Sequence, residues 1–142
     1  MIENALWVTT DYFECSTPGS NFINPRCFGE DFALWLKLRL SERGLAVAEP
    51  GQEDWGWIVL VTVANVKFTI SIGVMDESIG QVPANWRIGV AFEKPLNSIR
   101  TGFRPAPLES LVTLFREVQN VLSSEPGFRV SEEEPNGCSN SS

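Results

Sequence analysis

The sequence contains no histidine, the side chain most often used as a general base near neutral pH and as a ligand for catalytic zinc. Catalysis by a serine–histidine or cysteine–histidine pair is therefore excluded. The chain also lacks a phosphate-binding loop ending in Gly-Lys-Ser or Gly-Lys-Thr, and its glycines form no dinucleotide-binding fingerprint. We expect no cofactor and no metal site.

Glu53 and Asp54 form the one acidic pair set beside large aromatic residues, because Trp55 follows directly. An indole that excludes water can raise the pKa of a neighbouring carboxyl, which suggests a carboxylate-based enzyme around Glu53 and Asp54. However, successive residues of a strand point to opposite faces, so the two carboxylates would not share one substrate. We favour a polar turn that leads into an aromatic strand.

Cysteine usage indicates reduced thiols rather than a disulfide framework. Cys15, Cys27 and Cys138 are odd in number and widely spaced. Cys27 lies near the start of a predicted helix, where a thiol pKa can be lowered, but a free cysteine more often packs as a small apolar residue. With no signal-peptide pattern and no apolar run of roughly 20 residues, the sequence predicts a cytoplasmic protein without a membrane segment.

The formal net charge is −7 and the pI is about 4.6. This charge repels phosphate backbones, so direct nucleic-acid binding is not expected. It suits a basic protein partner, although a surplus of acidic residues also serves solubility alone.

The elements that position these residues follow from periodicity. Residues 6–13 predict a strand, and Asn24-Pro25 predicts the start of a helix that runs to about Arg43. A second helix is predicted from Leu108 to the Pro126-Gly127 pair. Each helix carries an apolar stripe: Phe28, Phe32, Trp35, Leu36 and Leu40 in the first, and Leu108, Leu111, Val112, Phe115, Val118 and Leu122 in the second.

Two β-rich runs flank Ala64-Asn65 and predict an antiparallel hairpin. A two-residue turn there would place the apolar residues on one face, whereas a slip by one residue would scramble both faces. The predicted inward pairs are Val63 with Val66, Val61 with Phe68, Val59 with Ile70, and Trp57 with Ile72. A further half-buried strand is predicted where apolar residues alternate from Trp86 to Phe92.

The sequence thus predicts an α+β fold: a mainly antiparallel sheet of about four to five strands with two helices packed on one face. Residues 1–131 would form this single domain, and 132–142 would be a disordered acidic and polar tail.

The opposite face of the sheet is predicted to be shallow and partly apolar. The hairpin register places Ile58 and Leu60 there, and the alternating strand adds Ala91. These three residues are a candidate surface for a protein partner or for a homodimer. The alternative is that the connection from Pro95 to Pro107 folds over this face.

The run Glu53-Asp54-Trp55-Gly56-Trp57 follows the first predicted helix and resembles small uncharacterised bacterial proteins, over about a quarter of the chain. The resemblance implies a bacterial origin and no particular activity. In size and acidity the chain is also similar to immunity proteins and to small phage inhibitors. We therefore expect a non-enzymatic protein-binding or regulatory module, with a small-ligand-binding domain or the carboxylate-based enzyme as the alternatives.

Overall fold

The structure is a computed structural model that describes residues 3–16, 19, 27–53, 56–92 and 108–134. Over these residues the chain forms one antiparallel sheet of seven strands and two α-helices, with a 3-10 turn at Asp76–Ser78. The strands are β1 (Glu3–Thr10), β2 (Ala46–Val47), β3 (Gly51–Glu53), β4 (Gly56–Val63), β5 (Val66–Val74), β6 (Ala84–Phe92) and β7 (Arg129–Ser131), and the helices are α1 (Glu30–Glu42) and α2 (Leu108–Ser123).

The strand order across the sheet is β2-β4-β5-β6-β1-β7, and β3 pairs with β4 beside β2. The α+β class is confirmed, but the predicted number of four to five strands was too low. The strands β2, β3 and β7 contain only two or three residues each. Segments this short show no measurable alternation, so their pairing depends on the neighbouring strand and cannot be read from the pattern.

The β4–β5 hairpin has the predicted register, from Val63 opposite Val66 to Trp57 opposite Ile72. Ala64 and Asn65 both have positive φ, at 52° and 66°. Positive φ at both central residues defines the type I′ turn, whose twist matches that of the flanking strands. Ala-Asn is a poor sequence for this turn, so the apolar pairing along the strands fixes it.

Both helices pack on one face of the sheet, which we call the inner face. The largest side chains there that are almost completely buried include Leu6, Phe68, Ile70, Trp86 and Ile88 from the strands and Phe32, Leu36, Leu40, Leu111 and Leu114 from the helices. Arg43 at the end of α1 forms an ion pair with Glu117 of α2, which joins the two helices at the surface.

Helix α1 begins at Glu30, later than predicted. Residues 27–29 are not helical, while Asn24 and Pro25 lie outside the described residues. Gly29 precedes the helix with a φ of 140°, and a Cβ added to it would lie 3.2 Å from Cδ1 of Trp57. The positive φ of Gly29 is not helical, so α1 begins only after it, and Cys27 lies before the helix rather than within it.

Helix α2 begins at Leu108 as predicted and ends at Ser123, before the Pro126-Gly127 pair. One position of its stripe was wrong: Val112 is exposed, and Leu114 is fully buried instead. The predicted tail begins at Glu132, which accepts a hydrogen bond of 2.9 Å from the side chain of Gln119 in α2. Residues 135–142 lie outside the described part. In that part, neither helix is long and apolar enough to cross a membrane.

Candidate functional site

The outer face of the sheet, opposite the helices, carries the candidate residues in two rows. Paired residues of neighbouring strands lie on the same face of the sheet. The strand register therefore shows which residues form each row. One row runs from Ile58 through Ser71 and Gly89 to Ala5. The next row runs from Leu60 through Thr69 to Ala91.

Ile58 and Leu60 are the large apolar side chains of this face, and both are half-buried. The neighbouring residues on β5 and β6, Ser71, Thr69, Gly89 and Ala91, are small, so this part of the outer face is flat and is bordered by the two aliphatic side chains. Ala91 lies on this flat part of the outer face, two strands away from Leu60. Ile58 and Leu60, predicted from the hairpin register, and Ala91, predicted from the alternating strand, therefore lie on one surface.

Glu53 pairs with Gly56 and thus lies on the same face, where its side chain is exposed. Asp54 and Trp55 lie outside the described residues, as does the connection from Pro95 to Pro107. Whether the acidic pair acts together, and whether the connection covers the face, therefore stay predictions.

Two described residues of the Glu-Asp-Trp-Gly-Trp run have a structural role. Gly56 is buried, and a Cβ added to it would lie 2.9 Å from the carbonyl oxygen of Ile72. Trp57 is 4% exposed on the inner face, and its Nε1 donates a 2.8 Å hydrogen bond to the backbone oxygen of Cys27. This part of the run holds the residues before α1 against the sheet, so its composition needs no ligand to explain it.

Trp7 and Arg87 belong to the outer face and were not predicted. They are paired across β1 and β6, and the guanidinium carbon of Arg87 lies 5.9 Å from the centre of the Trp7 ring, a cation–π geometry. Nε1 of Trp7 is buried and finds no hydrogen-bond acceptor within the part of the chain that is described. The alternation of Leu6, Trp7 and Val8 could have placed Trp7 outward, but nothing in the sequence shows that β1 pairs with β6.

A cavity of about 350 Å³ lies at one end of the outer face. Its lining includes Ser71, Gly73 and Arg87 of the sheet and Asp76 and Glu77 of the 3-10 turn. The lining combines apolar residues with charged side chains of both signs, as in sites that hold a ligand by apolar contacts and orient it by a few polar groups.

Two groups with shifted pKa values belong to other elements. The hydrogen bond that the Tyr12 hydroxyl donates to Glu125 raises the pKa of Tyr12. Partial burial raises the pKa of Asp31 in the first turn of α1, although backbone hydrogen bonds from Glu14 and Phe32 oppose this effect. Both interactions connect the residues after β1 to the helical layer. Tyr12 and Asp31 therefore have a structural role.

Among the described residues, no group of three or more acidic, cysteine or histidine side chains is arranged to hold a metal ion. No protein-family model, curated protein or solved structure was found to match the chain. The function must therefore be inferred from the geometry of the outer face.

Proposed function

We propose that this chain is a non-enzymatic protein-binding or regulatory module that docks a partner protein on the outer face of its sheet. The observation that supports this proposal is the apolar character of β4 on both sides. Val59 and Val61 point inward and are at most 1% exposed, whereas Ile58 and Leu60 alternate with them on the face opposite the two described helices. Strands that are apolar on both sides are typical of sheets covered on both faces.

The charge of the chain indicates the chemistry of the partner. With a net charge of −7, the chain attracts a basic protein at long range and repels another copy of itself. A basic toxin or regulatory protein fits this requirement, as in immunity proteins and inhibitors. A homodimer through the outer face would have to overcome the repulsion of the two negative chains.

The carboxylate-based enzyme has less support. Glu53 is exposed on the outer face, without the water-excluding surroundings in which a carboxylic acid acts as a general acid. A small-ligand-binding domain is the second candidate, because the outer-face cavity of about 350 Å³ has the size of a small-molecule site. A ligand of this cavity would raise the melting temperature of the wild type but not that of a Ser71→Phe variant, in which a larger side chain occupies part of the cavity.

The substitution Leu60→Lys tests the docking proposal, with Leu38→Lys as its matched control. Leu38 is 54% exposed on α1, so the same chemical change is made on the other side of the molecule. We expect a purified partner, first captured from cell extract with the wild type, to bind Leu38→Lys with unchanged affinity and Leu60→Lys at least about tenfold more weakly. Isothermal titration measures both affinities, and circular dichroism checks that each variant is folded.

Two outcomes would contradict the proposal. If Leu60→Lys does not fold while the wild type is monomeric, the outer face is covered by the chain itself. If Leu38→Lys loses the partner and Leu60→Lys retains it, the interface lies on the helical layer.

A further inference from the structure

Gly73 lies within β5, and a glycine inside a strand weakens the strand. Its backbone does not have the positive φ that favours glycine over other residues. The pairing of β5 with β6 continues past it without a bulge, from Phe68 opposite Phe92 to Val74 opposite Trp86. Neither the backbone conformation nor the strand pairing therefore requires a glycine at this position.

The position of Gly73 is open toward the outer face. Gly73 follows the inward-facing Ile72 along β5 and pairs with Arg87 of β6. Apart from its chain neighbours, a Cβ added to Gly73 would have no heavy atom of the described residues within 4 Å. At Gly56 of β4, by contrast, an added Cβ would lie 2.9 Å from the carbonyl oxygen of Ile72. Packing thus requires the glycine at position 56, whereas the one at position 73 leaves space beside the sheet.

This space belongs to the outer-face cavity of about 350 Å³, because Gly73 is part of the cavity lining. Ser71 and Met75 line it on either side of Gly73 along β5, and Arg87 lines it from β6. A glycine within a strand often marks the close approach of a ligand. The volume lies near the lower end of the range for small-molecule sites, roughly 300–1,000 Å³, which indicates a small ligand.

Arg87 provides the positive charge of the cavity, and Trp7 positions it. The two residues are paired across β1 and β6, and the guanidinium carbon lies 5.9 Å from the centre of the Trp7 ring. A guanidinium has several N–H donors in one plane, so Arg87 can bind a carboxylate with two of them while it keeps this stacking. The hydroxyl of Ser71 donates only a long hydrogen bond of 3.5 Å to the carbonyl oxygen of Gly89, so it can turn toward the same carboxylate.

Asp76 and Glu77 provide the negative charge, and both are exposed in the 3-10 turn that follows β5. This turn is fixed to β6 by two hydrogen bonds of 2.9 Å. The backbone N–H of Asn85 donates one to Oγ of the buried Ser78, and the N–H of Met75 donates the other to the carbonyl oxygen of Asn85. The turn therefore keeps the two carboxylates beside the cavity.

The charges around the cavity select among classes of ligand. The net charge of −7 repels nucleotides and other phosphate compounds at long range. A ligand with only a positive charge would be repelled by Arg87, and one with only a negative charge by Asp76 and Glu77. A molecule with one carboxylate and one ammonium group has no net charge and complements both signs. The half-buried Met75 adds an apolar surface to the lining, which suits an apolar side chain on that molecule.

We propose that the cavity beside Gly73 binds a free amino acid with an apolar side chain. The carboxylate of the ligand binds Arg87 and Ser71, its ammonium group lies toward Asp76 and Glu77, and its body occupies the space that a side chain at position 73 would fill. This inference rests on the second candidate function, the small-ligand-binding domain, and not on the docking of a partner protein.

The substitution Gly73→Val tests the site in the full chain. Leucine, methionine and phenylalanine are titrated separately into isotope-labelled protein, and NMR chemical shifts give the affinity. We expect at least one of them to bind the wild type and to shift the amide signals of Ser71 and Gly73. Gly73→Val should melt no lower than the wild type, because β-branched residues are favoured in strands, and should bind at least about tenfold more weakly because valine occupies the space of the ligand.

Gly51→Val is the matched control, because it makes the same change in β3 on the same face and outside the cavity lining. A Cβ at Gly51 would lie 3.7 Å from Cγ1 of Ile58, an ordinary contact. We expect its affinity for the amino acid to stay within about twofold of that of the wild type. Circular dichroism checks that both variants are folded.

Analogues of the amino acid that binds test the two charges without altering the protein. Its amide lacks the carboxylate and its N-acetyl derivative lacks the ammonium group, so each should bind at least about tenfold more weakly. Free glycine, which lacks the apolar side chain, should also bind more weakly.

The proposal is overturned if none of the three amino acids binds, or if Gly73→Val binds them like the wild type. If an analogue with only one charge binds as tightly as the amino acid and is lost in Gly73→Val, the cavity is a small-ligand site but the proposed class is wrong. A failure of the class can thus be told from a failure of the second candidate function. No partner protein takes part, so the docking proposal is tested independently.

Discussion

The inner and outer faces of the sheet are built from the same strands but meet different surroundings. Along β4, Trp57, Val59 and Val61 face inward and are at most 4% exposed, whereas Ile58 and Leu60 face outward and are only half-buried. Both sides of the strand are apolar, and they differ because the two described helices cover only the inner one. Apolar side chains beyond those needed for the core therefore point to a use outside the core, which is the basis of the proposed docking surface.

The largest effect should come from Trp57→Ala on the inner face. Removal of a buried indole leaves a cavity, and it also leaves the carbonyl of Cys27 without its 2.8 Å hydrogen bond. We expect the free energy of unfolding to fall by roughly 3–5 kcal/mol, the usual range for truncation of a buried aromatic residue. Urea denaturation measures it. A loss below about 1 kcal/mol would show that the inner face is not the core of this sheet.

Adjacent residues of β4 provide a sharper comparison of the two faces. Val59→Ala removes fewer atoms than Leu60→Ala, but Val59 is fully buried and Leu60 is not. We expect Val59→Ala to cost about 2 kcal/mol and Leu60→Ala about 1 kcal/mol, because the cost follows the buried area and the cavity rather than the size of the side chain. Denaturation midpoints of the two variants decide the order. If Leu60→Ala costs more, the outer face is covered and the contrast between the faces disappears.

The smallest effect concerns two indoles, one on each face. Trp57→Phe breaks a hydrogen bond, whereas Trp7→Phe removes an N–H that has no acceptor within the described residues. We expect Trp57→Phe to be more destabilising than Trp7→Phe by about 1 kcal/mol, the net contribution of one hydrogen bond. Paired thermal melts test the difference. A larger loss for Trp7→Phe would mean that its stacking with Arg87 stabilises the fold.

The parts of the fold that depend on local periodicity could be predicted from the sequence. The hairpin register follows from alternation, because a slip by one residue would oppose Val61 to a polar residue, and it places Ile58 and Leu60 on one face. The start of α1 could not be predicted, since Pro25 and the residues after it have helix-compatible types. The helix begins only after Gly29, whose backbone lies close to Trp57. These two residues are distant in the sequence, so no local pattern shows where the helix starts.

The candidate site was predictable to the same extent. Ile58, Leu60 and Ala91 follow from strands with clear alternation, and their rows agree with the observed pairing. Trp7 and Arg87 come together only because β1 pairs with β6. No local pattern contains that pairing, because the two strands are far apart in the chain and the choice among possible neighbours depends on the packing of the whole sheet.

The position of β1 also has a consequence for the order of folding. It is the first of the described strands in sequence order, yet its two neighbours in the sheet are β6 and β7. During synthesis, β1 therefore has no native strand partner until β6 has been made. The strands β4, β5 and β6, by contrast, are consecutive in the sequence and adjacent in the sheet, so they can pair without a distant segment. Non-local pairing of this kind slows folding relative to helical proteins. We expect β1 to be inserted late, beside a meander that has already formed.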